Sequence, residues 1–229
     1  MKYVSIDIET TGLDENQHQI LEFAAIIEDT QLNLSYEDIP KFRRVIINPD
    51  DKYVFSSYAC SLNTRLVKII SRIVENNSFD KINLPNMDDG YCYPDNLIVS
   101  FADFLTSNDD KWARSFQKEI IPVGKNFKGF DQKFITRLKH FNEFIKFEYR
   151  TLDPASLFVN WDEDASVPST STCKKRAGLG NSVSHEALAD AWDVIQLFRF
   201  DREQKNEFKR LKKLNEPNFD VYNGKTLLG

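Results

Sequence analysis

The chain has 229 residues, 41% of them hydrophobic and 13% aromatic, which supplies the core of one α/β domain with insertions and excludes wholesale disorder. No apolar run approaches the roughly 20 residues of a membrane helix, residues 1–6 enter a strand-like stretch without a signal-peptide h-region, and Cys60, Cys92 and Cys173 are too scattered for a zinc knuckle or a disulfide framework, so a cytoplasmic setting is expected. The net charge of −5 argues against a broad basic face for long nucleic acid; it leaves a small-molecule protein, or a nuclease that grips a chain end and gathers carboxylates around metals.

Residues 2–9 alternate, with Val4, Ile6 and Ile8 on one face and Ser5, Asp7 and Glu9 on the other, which predicts a strand. A turn follows at residues 10–14. Residues 20–28 (ILEFAAIIE) are nearly continuous in apolar side chains and predict a second, central strand. Residues 42–47 predict a third, closed by Asn48-Pro49-Asp50. Short connections make these three an antiparallel meander.

Helical spacing then links Tyr58, Leu62, Leu66, Ile69 and Ile73. Residues 75–96 read as a polar loop or insertion, 97–105 as a short helix, and 120–124 as a short buried strand. Residues 131–144 predict a helix with Phe134, Ile135, Leu138 and Phe141 inward. One more strand is expected at 149–152, a second polar loop at 161–172, and a short helix at 172–177 ended by Gly178. Leu188, Ala191, Val194, Ile195 and Phe198 mark an amphipathic helix from Glu186 to about Phe200. Residues 201–229 form a charged tail containing Lys209-Arg210-Leu211-Lys212-Lys213, read as a solvated helix end and terminus, or as a nucleic-acid or partner contact. The order predicts a mixed sheet flanked by helices over residues 1–200, with loop insertions near 75–96 and 161–172.

Three places carry candidate chemistry. Asp7 and Glu9 leave one face of the first strand, where two carboxylates repel unless a cation lies between them or one is protonated. Asp131 opens a predicted helix, where an ordinary first-turn acid is the plain alternative. Asp190 interrupts the apolar face of the last predicted helix, and a buried acid there needs a partner or a metal. His185 stands at that helix's entrance, where a capping role is the plain alternative. Taken together, four carboxylates and a histidine are what two-metal phosphodiester hydrolysis requires: ligands for two divalent cations, and a base that titrates near neutrality. All-oxygen ligands suit magnesium or manganese.

D-x-E-T-T-G-L from Asp7 to Leu13, Phe130-Asp131 at a helix start, and His185-x-Ala187-x-x-Asp190 on the last helix resemble the three motifs of the DEDDh 3′–5′ exonucleases. That superfamily includes ribonuclease T, oligoribonuclease and the proofreading epsilon subunit of bacterial DNA polymerase III. The five-residue step from His185 to Asp190 matches the His subclass. The resemblance implies a ribonuclease H-like α/β fold in which three antiparallel strands precede parallel strands. It implies two Mg2+ or Mn2+ ions bridged by Asp7, with Glu9 and Asp190 completing one site, Asp131 holding the other, and His185 as general base. The implied substrates are 3′ ends of single-stranded DNA or RNA, and the products are nucleoside 5′-monophosphates. Glu9, Thr10, Thr11 and Leu13 would position the terminal nucleotide, with Leu13 against its base.

Members often carry an Asn four residues before the second-motif Asp; here Phe127 stands there and Asn126 lies one residue earlier. Asn126 and Phe127 are retained as substrate contacts, the latter as a base-stacking candidate. Lys125, Lys128 and Lys174-Lys175-Arg176 are candidate phosphate contacts; ordinary exposed cations are the alternative. Phe23, Phe130 and Trp192 also lie near motifs, and Phe130 and Trp192 read as core. A second function class is a complex-bound, proofreading-type subunit that associates through its tail.

Overall fold

The computed structural model describes residues 1–75 and 90–215. The chain forms β1 (Lys2–Thr10), β2 (Ile20–Asp29), β3 (Lys41–Ile46), α1 (Ser57–Leu62), α2 (Thr64–Glu75), β4 (Tyr91–Cys92), α3 (Pro94–Asn108) and α4 (Asp110–Ala113). It continues through β5 (Lys118–Ile120), β6 (Pro122–Val123), α5 (Asp131–Ile135), α6 (Phe141–Phe144), β7 (Ile145–Phe147), a 3-10 turn (Pro154–Phe158), α7 (Thr170–Arg176) and α8 (Ala187–Asn215). The main sheet has the order β4-β3-β2-β1-β6. β2 runs antiparallel to both β1 and β3, whereas β6 joins β1 and β4 joins β3 in parallel. This is the mixed, helix-flanked α/β sheet that the sequence predicts.

The period-two pattern of β1 decides which face meets which helix. Val4, Ile6 and Ile8 enter one core with Leu97, Ile98, Phe101 and Leu105 of α3 and Phe134 and Ile135 of α5. Tyr3 lies on the opposite face with Ala187, Leu188, Ala191, Val194 and Ile195 of α8. On that face the Ser5 hydroxyl donates to the Ala191 carbonyl at 2.8 Å. β2 is buried on both sides, Phe23, Ala25 and Ile27 toward the first core and Ala24 and Ile26 toward α8. Asp7 and Glu9 therefore face α8, at the strand end where pairing with β2 shifts register between Glu9 and Thr10.

Several boundaries differ from the sequence expectation. The strand expected at 120–124 divides: Lys118–Ile120 pairs with β7, and Pro122–Val123 pairs with β1. Pro122 has no N–H to continue a ladder, so the chain changes partner there. The expected helix 131–144 divides into α5, which ends at Ile135, and α6, which starts after His140 in a left-handed φ of 66°. The strand expected at 149–152 forms earlier, as β7, and Leu152 makes only an isolated bridge with Val123. Within the expected loop 75–96, residues 76–89 lie outside the described residues, while Tyr91–Cys92 is a strand and Pro94 starts α3. α8 runs unbroken past Phe200 to Asn215; the rest of the expected tail lies outside the described residues. Among the described residues, no helix is long and apolar enough to cross a membrane.

Candidate active site

The sheet end carries a cavity of about 260 Å³ lined by Asp7, Glu9, Lys125, Phe130, Asp131, His185 and Asp190, among others. Three separate elements deliver the acids. Asp7 and Glu9 come from the C-terminal end of β1, Asp131 from the first residue of α5, and Asp190 from the first turn of α8. Asp131 is only 3% exposed, and its Oδ1 accepts the Ile8 N–H at 3.2 Å, which fixes the start of α5 against β1. Asp190 Oδ1 accepts the Ser184 hydroxyl at 3.2 Å. His185 is exposed at the mouth, with a left-handed φ of 53°.

The electrostatics of this cluster are those of a site built for cations. Withdrawal from water pushes the Asp7 carboxyl well above its usual range, and Asp131, Asp190, Glu9 and Glu22 repel it further upward. Burial, then Asp190 and Glu22, raise Glu9 to about 8, partly opposed by Arg65. Burial raises Asp131 to about 7 against the N–H groups of Asp131 and Ile8. Asp190 is raised by burial and by Asp193, offset by Ser184 and His185. One donor atom each from Glu9, His185 and Asp190 lies within 4.8 Å of the others. Four mutually repelling carboxylates around one cavity fit hard divalent cations such as Mg2+ or Mn2+.

A measurable consequence concerns stability. The folded pKa values of Glu9 and Asp131 lie above their ordinary values of 4.5 and 3.8. Their stabilising contribution is complete below those ordinary values and is lost as pH rises through about 7 and about 8. The metal-free protein is therefore expected to melt at falling temperature from about pH 5 to about pH 9, with added Mg2+ or Mn2+ raising the melting temperature most at the alkaline end. Melting curves with chelator and with metal across that range check this; a metal effect independent of pH would contradict it.

The turn after β1 is self-supporting. Thr10 and Thr11 are buried: the Thr10 hydroxyl donates to the Gly12 carbonyl at 2.7 Å, and the Thr11 hydroxyl donates to Gln19 Oε1 at 3.1 Å. Their hydroxyls thus shape the loop, and Leu13 is left 79% exposed at its tip. Gly12 has a steric reason. A Cβ there would sit 2.4 Å from the His18 ring, whose Nδ1 accepts the Asp14 N–H at 3.1 Å. Gly12→Ala is expected to displace His18 and loosen the loop, costing about 1–3 kcal/mol of stability and raising KM for oligonucleotides more than it lowers kcat. Steady-state kinetics and thermal melting check both halves.

Other expected contacts are placed differently. Phe127 is 1% exposed and packs edge-on against Phe147, so it belongs to the core and is no stacking platform. Asn126 is exposed in a left-handed turn, with its side chain folded over Gly129 and its N–H donating to Asp153 Oδ2 at 2.8 Å. Lys125 lines the cavity, as a phosphate contact requires. Lys174 is buried: it pairs with Asp193 and donates to the Ser182 carbonyl at 2.7 Å. Arg176 pairs with Asp164 at 2.5 Å, and of that trio only Lys175 is exposed without an ion pair among the described residues. Trp192 is half-buried against Tyr36 and under the Arg199 guanidinium.

Sequence reasoning missed Glu22. It is fully buried on β2, where Arg43 Nε at 2.8 Å and Arg65 Nη2 at 3.1 Å meet it, and it accepts the Ala187 N–H at 3.1 Å. The available signal was an acid flanked by apolar residues in a nearly apolar strand, which demands buried partners.

Residues 4–198 match the family model of the RNase T-type exonucleases. The chain belongs to this exonuclease family. It is thereby a member of the DEDDh 3′–5′ exonuclease superfamily, and a hydrolase. Among curated RNase T-type relatives, the oligoribonucleases of Vibrio campbellii and Vibrio parahaemolyticus are 28% and 27% identical over 153 residues, covering 66% of this chain and 70% of each relative. The fold is similar to that of Exonuclease I from Methylocaldum szegediense (TM-score 0.58, 16% identity, 93% of this chain) and of E. coli Exonuclease I in complex with a 5cy-dT13 oligonucleotide (0.58, 15%, 93%). This chain spans 43% of each of those longer proteins. Cell-death related nuclease 4 also shares the fold, with a TM-score of 0.57 and 12% identity over 89% of this chain and 64% of that one.

Proposed function

We propose that this protein is a metal-dependent 3′–5′ exonuclease that hydrolyses single-stranded DNA or RNA from the 3′ end and releases nucleoside 5′-monophosphates. The observation that carries the reading is the convergence of Asp7, Glu9, Asp131, Asp190 and His185 on one open cavity. Asp7, Glu9, Asp131 and Asp190 would hold two divalent ions. Bound ions of this kind polarise the phosphoryl group and lower the pKa of attacking water.

The protein's own groups do the remaining work. His185, at the cavity mouth, accepts the proton of the attacking water. Asp131, anchored to the Ile8 N–H, and Asp190, anchored to Ser184, keep their carboxylates aimed without rearrangement. Leu13, exposed beyond Glu9, packs against the terminal base, and Lys125 meets the phosphate. An open cavity of about 260 Å³ suits a chain end and not a duplex. The oligonucleotide held by the similar E. coli Exonuclease I supports a single-stranded substrate.

The test is digestion of matched RNA and DNA, single- and double-stranded, at several lengths. Faster loss of single strands and accumulation of 5′-mononucleotides are expected. Cleavage in the middle of circular substrates would contradict the reading.

A second reading, association through the tail, is favoured by one observation. Beyond Asp201, α8 leaves the body with Phe208, Leu211 and Leu214 exposed. Residues 1–200 would then be the catalytic unit and 201–229 a docking segment for a larger complex. Deleting 201–229 should leave oligonucleotide hydrolysis intact and abolish co-purification with the partner; loss of hydrolysis would assign the segment to the catalytic unit.

A further inference from the structure

His185 lacks the support expected of a catalytic base. Its ring has no hydrogen-bond partner among the described residues, and it is exposed. Ligand atoms of Glu9 and Asp190 lie within 4.8 Å of a ring nitrogen, yet among the described residues no carboxylate is hydrogen-bonded to the ring in the way a second carboxylate orients the base of a hydrolytic triad. Its backbone is also in the left-handed region, at φ 53°, which a residue with a Cβ holds only when its surroundings impose it. The position of the ring must therefore be set by what fixes the chain on either side.

Those fixings are visible. On the N-terminal side, the buried Lys174 ammonium donates to the Ser182 carbonyl while paired with Asp193 of α8. On the C-terminal side, two consecutive residues are caught from below. Glu22 accepts the N–H of Ala187, which would otherwise be an orphan donor at the start of α8. Arg65 of α2 contacts Glu22 Oε2 through Nη2 at 3.1 Å and Glu186 Oε1 through Nε at 3.2 Å. One guanidinium thus joins the buried acid beneath the helix start to the residue next to His185. Arg43 holds the other side of Glu22, so the anchor itself cannot swing.

We propose that Arg65 is a positioning residue: by bridging Glu22 and Glu186 it holds His185 in register with the carboxylates on β1, α5 and α8. The inference rests on the reading of His185 as the general base. Arg65 is suited to this because its planar fork reaches two acceptors at once, which a lysine ammonium cannot do in the same geometry. It lies 120 positions before His185 in sequence and on a different helix, so the sheet end and the helix start are coupled only through folding.

The experiment compares Arg65→Ala, Arg65→Lys, Glu186→Ala and His185→Ala in the full chain. Kinetics on a short single strand are read beside backbone amide exchange at residues 184–187 and thermal melting. Arg65→Ala is expected to lower kcat by about 10- to 100-fold, the scale of a misplaced catalytic group, with KM within about threefold. Exchange at 184–187 should accelerate. Arg65→Lys should restore melting but only part of kcat. Glu186→Ala, which removes one half-exposed partner, should lower kcat by about two- to fivefold, and adding it to Arg65→Ala should cost nothing further.

Wild-type kcat in Arg65→Ala, alongside an inactive His185→Ala, overturns the proposal. So does a rise in KM alone. If Arg65→Ala does not fold, Glu186→Ala decides by the same two readouts. If His185→Ala stays active, the assignment of the base falls; unchanged exchange at 184–187 in Arg65→Ala would then overturn the brace separately.

Discussion

Asp7→Asn is expected to lower kcat by at least about a thousandfold and, in the metal-free protein, to raise the melting temperature. The two effects have one cause. Asp7 is withdrawn from water and faces Asp131, Asp190, Glu9 and Glu22, so its carboxyl is held well above the usual range. Folding without metal must either protonate it or accept the repulsion. Asparagine keeps the shape, removes the charge, and offers an amide donor to the neighbouring carboxylates. Each kcal/mol relieved is worth about 2–4 °C in a chain of this size. With metal present the sign reverses, because the variant has lost a ligand. Melting curves in chelator and in excess Mg2+, together with turnover, check the pair. A variant less stable than wild type in chelator would show Asp7 to be a structural acid.

His185→Ala is expected to lower kcat by about 10²- to 10⁴-fold, the range for a positioned acid–base group, with oligonucleotide affinity nearly unchanged. The ring is exposed at the cavity mouth and makes no hydrogen bond among the described residues, so its removal leaves no hydrogen-bond partner orphaned there. Proximity gives a competing role. A ring nitrogen of His185 shares a 4.8 Å cluster with Glu9 and Asp190, which is compatible with ligation. Equilibrium metal binding separates the two. A base predicts that the metal affinity of His185→Ala matches wild type while turnover collapses; a ligand predicts that both fall together.

The residues that meet at the candidate cavity were legible because most of them sit on regular elements. Asp7 and Glu9 share a face for the reason that any residues i and i+2 of a strand do. Asp190 stood out as an acid within an apolar helix stripe. What the sequence did not disclose depends on partners far apart in the chain. Phe127 lies beside polar and basic residues, yet the turn at Asn126 rotates it inward onto Phe147. Lys174 resembles its exposed neighbour Lys175, and only the docking of α7 on α8 gives it Asp193. Glu22 could be flagged as needing partners, but nothing local identifies Arg43, Arg65 and the start of α8.

The element boundaries follow the same logic. α8 continues past Phe200, where its apolar stripe leaves the body, because residues 201–215 are mostly strong helix formers and pair locally. Lys205 bonds Asp201 at 2.7 Å and Arg210 bonds Glu207 at 2.8 Å. Burial periodicity reports where a helix packs, not where it ends. Conversely, apolar spacing across residues 131–144 suggested one helix, and the turn from Thr136 to His140 divides it without disturbing which side chains face the core.

The most direct test of the central claim is a time course on a 5′-labelled single strand, run with Mg2+ and with chelator. A ladder of 5′-labelled products shortening one nucleotide at a time is expected, present only with metal and absent in Asp7→Asn. Immediate release of labelled mononucleotide, or a ladder that persists in chelator, would contradict it.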